Sequence, residues 1–230
     1  MSTKLNPRPV NFKFGEYLSQ SIDLMKKDFG TIFLSFLCFM IMSIIPFCGM
    51  MAAGNFYRIC YKIDKGIPTG AGEIFNFDDF VPYFIFQLYM LAGFFIVFIP
   101  VAFLGIFAGN DGVMSGFVTG IGMLYFLGVY FLMIYLLLQA FYIPALITFK
   151  KITDIKMAWN ISKIMTKGNL LSLFFFSIVV AILGELGIIL CGIGIFLTLP
   201  LINVSHYIAF KDGLAQIEHD ELAEIGQTYS

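Results

Sequence analysis

The sequence predicts an all-α integral membrane protein: a bundle of about six membrane segments with two amphipathic helices on the membrane surface. Hydrophobic residues make up 59% of the 230 residues and charged residues only 13%, with a mean hydropathy of +0.88. A soluble domain of this length could not bury so much apolar surface. Long stretches also lack any charge, and the 14 Lys and Arg residues gather in clusters beside these stretches, as membrane segments require.

The chain begins with a polar arm, residues 1–12, whose two prolines and lack of an apolar core predict a flexible segment. Residues 14–27 then show a helical period, with Tyr17 on the apolar side and acids and lysines on the other. This pattern predicts an amphipathic helix that anchors the protein in the membrane interface. A docking surface for a partner is the alternative.

No charged residue occurs from Thr31 to Tyr57, but Pro46, Cys48 and Gly49 interrupt this stretch. The interruption is either a kink or the tip of a hairpin. Only a hairpin brings every basic cluster to one side of the membrane, the cytoplasmic side by the positive-inside rule. The second segment of that hairpin, residues 49–65, is short and contains Arg58, so a re-entrant or tilted helix is the alternative.

Two further uncharged stretches, residues 81–108 and 112–149, predict a central hairpin. The segment before it, residues 67–80, is rich in glycine and reads as a cytoplasmic loop. Small residues at Gly116, Gly120 and Gly122 predict close helix packing, with a dimer interface as the alternative.

A second surface helix is predicted at residues 152–167. Lys156, Lys163 and Lys167 fall on one narrow stripe, while Trp159 lies on the broad apolar side. We expect Trp159 near headgroup level and the lysines facing water or anionic lipid.

Two stretches share one plan, namely an amphipathic helix, an apolar segment, a Cys-Gly turn and a returning segment. They are residues 13–66 and 150–210, and the spacing between their equivalent positions drifts by eight residues. This similarity suggests an internal repeat. The single membrane domain, residues 1–230, therefore divides into 1–12, 13–66, 67–80, 81–149, 150–210 and a cytoplasmic tail at 211–230, either a helical stub or disordered.

Polar residues inside the apolar segments are costly and usually have partners. Five of them form a candidate intramembrane network: Arg58, Glu185, Asn55, Asn203 and His206. We hypothesise that Arg58 pairs with Glu185 across the two hairpins; in the alternative, Glu185 lies in the outer headgroup zone while Arg58 reaches the cytoplasmic surface independently. Cys48 and Cys191 both fall at outer turns, where a disulfide is conceivable but free thiols are commoner.

The order of several segments resembles a family of bacterial multi-pass proteins related to the membrane domain of glycerophosphoryl diester phosphodiesterase. The segments are FGEYLSQSIDLMKKDFG, IIPFCG, GNFYRICYKIDKG, IFNFDDFVPYF, IPALITFKKITDIKMAWNISK and GIGIFLTLPLINVSHYIAF. The resemblance implies a six-helix protein of the bacterial cytoplasmic membrane. Because the soluble phosphodiesterase domain has no counterpart in these residues, we expect no hydrolase activity.

Catalytic signatures are missing from the sequence. With two histidines and no HExxH, paired CxxC or glycine-rich phosphate loop, we expect no enzyme activity, no metal site and no cofactor. The formal charge of −1 argues against nucleic acid. A non-enzymatic scaffold or accessory component is favoured, and a carrier or channel for lipid or another small amphiphile is the alternative; an intramembrane enzyme is disfavoured. Expected partners are membrane lipids, and either a membrane-protein partner or a second copy of the chain.

Overall fold

The computed structural model describes residues 7–107, 112–189 and 194–228, and all regular secondary structure in these ranges is helical. This confirms the all-α class for the described residues. The helices are α1 (Phe14–Lys27), α2 (Phe29–Ile44), α3 (Gly49–Lys65), α4 (Phe80–Phe107), α5 (Gly112–Gln139), α6 (Ile143–Lys150), α7 (Ile155–Met165), α8 (Leu170–Glu185) and α9 (Ile195–Thr228), with 3-10 turns at Ala71–Phe75 and Leu186–Ile189.

Both amphipathic helices stand nearly perpendicular to the apolar helices that follow them. The bend is 100° between α1 and α2 and 97° between α7 and α8. Asp28 starts the new helix at the first bend by accepting a hydrogen bond from the Thr31 amide at 3.1 Å. At the second bend, Gly168 has a φ of +83°, a conformation that glycine adopts without steric cost. A surface helix followed by an inserted helix requires such bends.

The interruption near Pro46 is the turn of a helical hairpin. α2 ends at Ile44, α3 begins at Gly49, and Phe47 between them has a φ of +65°. The two helices pack side by side, with the rings of Phe36 and Phe56 6.4 Å apart.

α3 is the central helix of the fold. Its backbone approaches α4 and α6 so closely that a Cβ at Gly54 would lie 2.5 Å from the Tyr83 hydroxyl and 2.8 Å from the Thr148 hydroxyl. The Tyr83 hydroxyl bonds to that of Thr148 at 2.6 Å and donates to the Pro144 carbonyl at 3.0 Å. Glycine at this position therefore brings three helices together.

Fewer helices qualify as membrane spans than the six expected. In the described residues, Phe80–Pro100 and Gly120–Lys150 are long and apolar enough to cross a membrane, and the count rises to four if each bent pair is one span. α3 fails because its 17 residues include Arg58 and other charges. The polar residues Asn203 and His206 likewise lower the hydropathy of α9.

The described part of the amino-terminal arm is docked, so the prediction of a flexible segment is wrong for residues 7–12. Val10 is buried, and its amide donates to the Met165 carbonyl at 3.0 Å. The Asn11 amide donates to the Gln216 side chain at 2.7 Å, and Gln216 donates back to the Asn11 carbonyl at 3.0 Å. Gln216 belongs to α9, which continues as a helix to Thr228. Of the two alternatives for the tail, residues 211–230, the helical one is therefore correct as far as Thr228.

The two similar units keep a constant register through their first two helices. α1 and α7 begin 141 residues apart (155 − 14), and so do α2 and α8 (170 − 29), each 16 residues long. Ser21 and Ser162 are equivalent in this register, and both are buried. The register changes at the third helix of each unit, since α3 and α9 begin 146 residues apart (195 − 49).

Candidate functional site

An open apolar groove of about 500 Å³ lies between α4, α5 and α7. Phe86 and Met90 of α4 form one wall, and Met133 and Leu137 of α5 form another. Gly93, one turn beyond Met90, also lines the groove, and nothing lies within 4 Å of the Cβ that it lacks. Methionine and aromatic side chains of this kind adapt to flexible hydrocarbon.

The groove has one polar side, which we call its mouth, formed by Lys156, Trp159 and Asn160 of α7. The spacing of these three residues places them on one side of the helix. Asp154 fixes the start of α7, because its carboxylate accepts hydrogen bonds from the Lys156 amide at 2.9 Å and from the Met157 amide at 3.4 Å. The groove thus combines apolar walls with an exposed cation, an amide and an indole at its opening.

This arrangement suits a molecule with a hydrocarbon chain and a polar or anionic head. The walls offer an apolar environment to the chain, while Lys156 and Asn160 can donate hydrogen bonds to head-group oxygens. The lining residues that the structure describes include no carboxylate, histidine or cysteine, so they hold no acid–base pair. Within the described residues there is also no group of His, Cys, Asp and Glu that could hold a metal ion.

The predicted network around Arg58 exists with a different acid. Arg58 forms an ion pair with Asp79, and its guanidinium donates to Asn55 at 3.3 Å. Glu185 is exposed at the end of α8, so the hypothesis of an Arg58–Glu185 pair is wrong. Lys151, just after α6, also donates to Asp79 at 2.9 Å.

Asn55 ties the loop before α4 to α3. Its amide nitrogen donates to the carbonyls of Ile74 at 2.9 Å and Asn76 at 2.7 Å. Together with the Arg58–Asp79 pair, these bonds fix the start of α4, and α4 supplies one wall of the groove.

Asn203 and His206 do not join this network. Both are half-buried on α9, and the His206 ring packs among aromatic rings, 5.6 Å from Phe141 and 6.2 Å from Phe210. The five predicted polar residues therefore do not form one network, because Arg58 and Asn55 lie near the start of α4, Asn203 and His206 lie on α9, and Glu185 lies at the end of α8.

The predicted interfacial anchors differ in their environments. Lys156, Lys163 and Lys167 are exposed and Trp159 is half-buried, in accord with an interfacial position. Tyr17 is only 1% exposed and donates a hydrogen bond to Asp212 at 2.6 Å, so the assignment of Tyr17 as a surface anchor is wrong. The apolar side of α1 packs on protein, which periodicity alone cannot distinguish from packing on lipid.

Two other predictions concern the hairpins. Cys48 is buried at the start of α3, whereas Cys191 lies outside the described residues, so the disulfide stays a prediction. A Cβ at Gly120 or Gly122 would meet nothing within 4 Å. These glycines therefore do not mediate close helix packing within the described chain, and the dimer alternative is untested. The surroundings of Gly116 lie outside the part of the chain that the structure describes.

A second polar cluster, not predicted from the sequence, joins α1, α3 and α9. The Asp64 carboxylate accepts from Lys211 at 2.6 Å and from the Tyr207 hydroxyl at 3.1 Å, and Lys27 donates to the Asp64 carbonyl at 2.7 Å. Burial by itself would raise the pKa of Asp64, but the bond and charge of Lys211, with help from Tyr207 and Lys27, lower it below its usual range. No local pattern predicts this cluster, because Asp64 and Lys211 are 147 residues apart in the chain.

Comparisons of this chain with protein-family models, with curated proteins and with solved structures gave no match in any of the three. The class of the protein is therefore defined by its fold: the described residues form an all-α protein with apolar helices long enough to cross a membrane.

Proposed function

We propose that this protein is a non-enzymatic integral membrane protein that binds a lipid or another small amphiphile in the groove between α4, α5 and α7, as a carrier does. The observation that supports this function is the groove itself, with apolar walls and a mouth formed by Lys156, Trp159 and Asn160. Between the carrier and the scaffold, the groove favours the carrier, because a scaffold needs no open apolar cavity.

The proposed membrane arrangement puts the groove at the boundary between headgroups and acyl chains. The α4–α5 hairpin crosses the bilayer, while α1 and α7 lie along its surface and α2 and α8 turn inward at the two bends. In the proposed six-segment topology, the second unit returns through the apolar part of α9 and both termini are cytoplasmic. The family resemblance supports a bacterial cytoplasmic membrane as the location.

Trp159 makes this function testable, since it is the only tryptophan in the chain and lines the groove. The protein in a neutral detergent is titrated with a brominated phosphatidylglycerol, because bromine quenches indole fluorescence on contact. We expect saturable quenching. Gly93→Leu should fill the groove and weaken binding at least about tenfold, the equivalent of 1.4 kcal/mol.

The matched control is Gly128→Leu on α5. Gly128 also has open space around its missing Cβ, but it does not line the groove. Quenching that rises without saturation, or that is equal in the two variants, would contradict a specific site and leave only annular lipid.

The scaffold or accessory function remains the second candidate, and the exposure of the α4–α5 hairpin favours it. Only 11% of the apolar window in Phe80–Pro100 and 0% of that in Gly120–Lys150 is buried inside the chain. A membrane-protein partner or a second copy could cover this surface in place of lipid. Native mass spectrometry in mild detergent separates the cases: a stoichiometric protein partner or dimer supports the scaffold, and a monomer with one bound lipid supports the carrier.

A further inference from the structure

A second cavity, of about 560 Å³, lies where α3, α6 and α9 meet and shares no lining residue with the apolar groove. We refer to it as the basic pocket, because five cations line it: Arg58, Lys62, Lys65, Lys150 and Lys211. Glu218 is the one acid among the described lining residues. The formal charge of the lining is therefore +4, from five positive groups and one negative group.

Helix periodicity explains why these cations meet. Arg58, Lys62 and Lys65 are spaced by four and three residues, so they lie along one side of α3. Lys150 is the last residue of α6, and Lys211 and Glu218 lie two turns apart on one side of α9. Three separate helices thus bring like charges to the lining of one cavity, and an anion bound there would reduce their mutual repulsion.

The internal acids do not neutralise the basic pocket from within. The carboxylates paired with three of the cations belong to Asp79, Glu73 and Asp64, and none of these three lines the cavity. These three acids orient the cations without lining the cavity themselves. A Lys ammonium has three donors and an Arg guanidinium five, so each paired cation retains donors for a further ligand.

A ligand in the pocket would change the interactions of Lys65 and Glu218 most directly. Lys65 is exposed and makes no ion pair with any described residue. Glu218 pairs with Lys150, and its side chain is 53% exposed whereas that of Lys150 is 11% exposed. The Glu218 carboxylate is therefore an exposed anion that is already paired with the least exposed lysine of the pocket, where an external anion would compete with it.

We propose that the basic pocket binds a phosphate-bearing anion, supplied either by a lipid headgroup or by a soluble molecule. A phosphate group has several charged oxygens and can bond to cations from all three helices at once, which a single carboxylate cannot. The volume exceeds that of a bare phosphate ion and falls in the usual range of ligand sites. The hydroxyl of Thr148 and the rings of Tyr61 and Phe149 complete the lining.

Two probes distinguish the sources of phosphate. Binding of inorganic pyrophosphate to the purified protein in neutral detergent is measured by titration calorimetry. Binding of the anionic phosphatidylglycerol is measured by native mass spectrometry, with phosphatidylcholine, a zwitterion of zero net charge, as the reference. For the probe that binds, we expect Lys65→Gln to weaken the affinity about tenfold, the loss of roughly one charge-assisted hydrogen bond.

Glu218→Gln gives a result of the opposite sign, because it removes the competing anion. We expect it to raise the affinity several-fold, an effect that a merely structural role of Glu218 would not produce. Lys163→Gln is the matched control, since Lys163 is also exposed but lies on α7 and lines neither cavity. The affinity of Lys163→Gln for each probe should equal that of the unsubstituted protein.

The pattern among the variants decides the outcome. If pyrophosphate binding follows it, the ligand is a soluble phosphate compound; if only phosphatidylglycerol binding follows it, the ligand is a lipid headgroup. If Lys65→Gln and Lys163→Gln behave alike with both probes, or if neither probe binds, the proposal is overturned. Lys65 and Lys163 are both exposed, so this comparison holds even if Glu218→Gln fails to fold.

Discussion

Arg58 of α3 is paired with Asp79, which lies just before α4, and both side chains are largely buried, at 21% and 10% exposure. Lys151 reaches the same carboxylate from the end of α6. One acid thus fastens together the central helix, the start of the central hairpin and the segment that leads to the second surface helix. One wall of the apolar groove lies on α4 and its polar side lies on α7, and both helices begin close to this junction in sequence, so the junction helps to position the groove.

Asp79→Asn should destabilise the protein by about 3 kcal/mol, because it leaves the largely buried Arg58 guanidinium without its carboxylate partner. The midpoint of denaturant unfolding in neutral detergent measures the change. Glu73→Gln is the control, since it breaks a more exposed pair with Lys62, at 36% and 35% exposure, and should cost less than about 1 kcal/mol. Equal losses of unfolding free energy in the two variants would show that the Asp79 ion pair contributes no more to stability than the exposed Glu73–Lys62 pair.

A second prediction compares two helical glycines. Gly54→Ala would bring a methyl group within 2.5 Å of the Tyr83 hydroxyl, so we expect a loss of about 1–3 kcal/mol from overpacking. Gly93→Ala meets nothing within 4 Å and should be neutral or stabilising by about 0.5–1 kcal/mol, because alanine favours the helix. Thermal unfolding of both variants under the same conditions tests this, and a tolerated alanine at position 54 would contradict the close approach of α3 to α4.

Local patterns predicted the local parts of this fold. The periodicity of α1 gave its observed bounds, and Pro46 marked the turn between α2 and α3. Partners from distant segments were not predictable in this way. The hypothesis paired Arg58 with Glu185 of the other hairpin, whereas its partner is Asp79, in the segment 67–80 that the sequence predicts as a loop.

The groove and the basic pocket were not predictable either. The groove combines α4 and α5 with α7, and the basic pocket combines α3, α6 and α9, so no single stretch of the chain contains either pattern. Tyr17 shows the related problem that an apolar face has the same periodicity whether it packs on lipid or on protein. Among the described residues, α3 and α9 do not qualify as spans by length and composition, because α3 carries charges near its end and Asn203 and His206 lower the hydropathy of α9.

Acid should weaken the contact between α3 and α9. The pKa of Asp64 is lower in the folded protein than in the unfolded chain, where it is about 3.9. Its stabilising contribution is therefore fully present above the unfolded value and is lost as pH falls through the folded value. We expect Asp64→Asn to be less stable than the unsubstituted protein at neutral pH, with the difference shrinking below about pH 4. Parallel stability curves from neutral to acidic pH would contradict this linkage.

The orientation of α7 can be measured through Trp159 in reconstituted vesicles. Because α7 is bent by 97° from α8, an inserted α8 leaves α7 along the membrane surface, with the indole at the level of the upper acyl chain. We therefore expect stronger quenching by phospholipids brominated on upper chain carbons than by those brominated near the chain end. Lys156→Leu, which replaces the cation at the groove mouth by an apolar side chain, should shift the quenching toward the deeper position. Strongest quenching from the chain end in the unsubstituted protein would mean that α7 crosses the bilayer, and the proposed arrangement of both bent pairs would then be wrong.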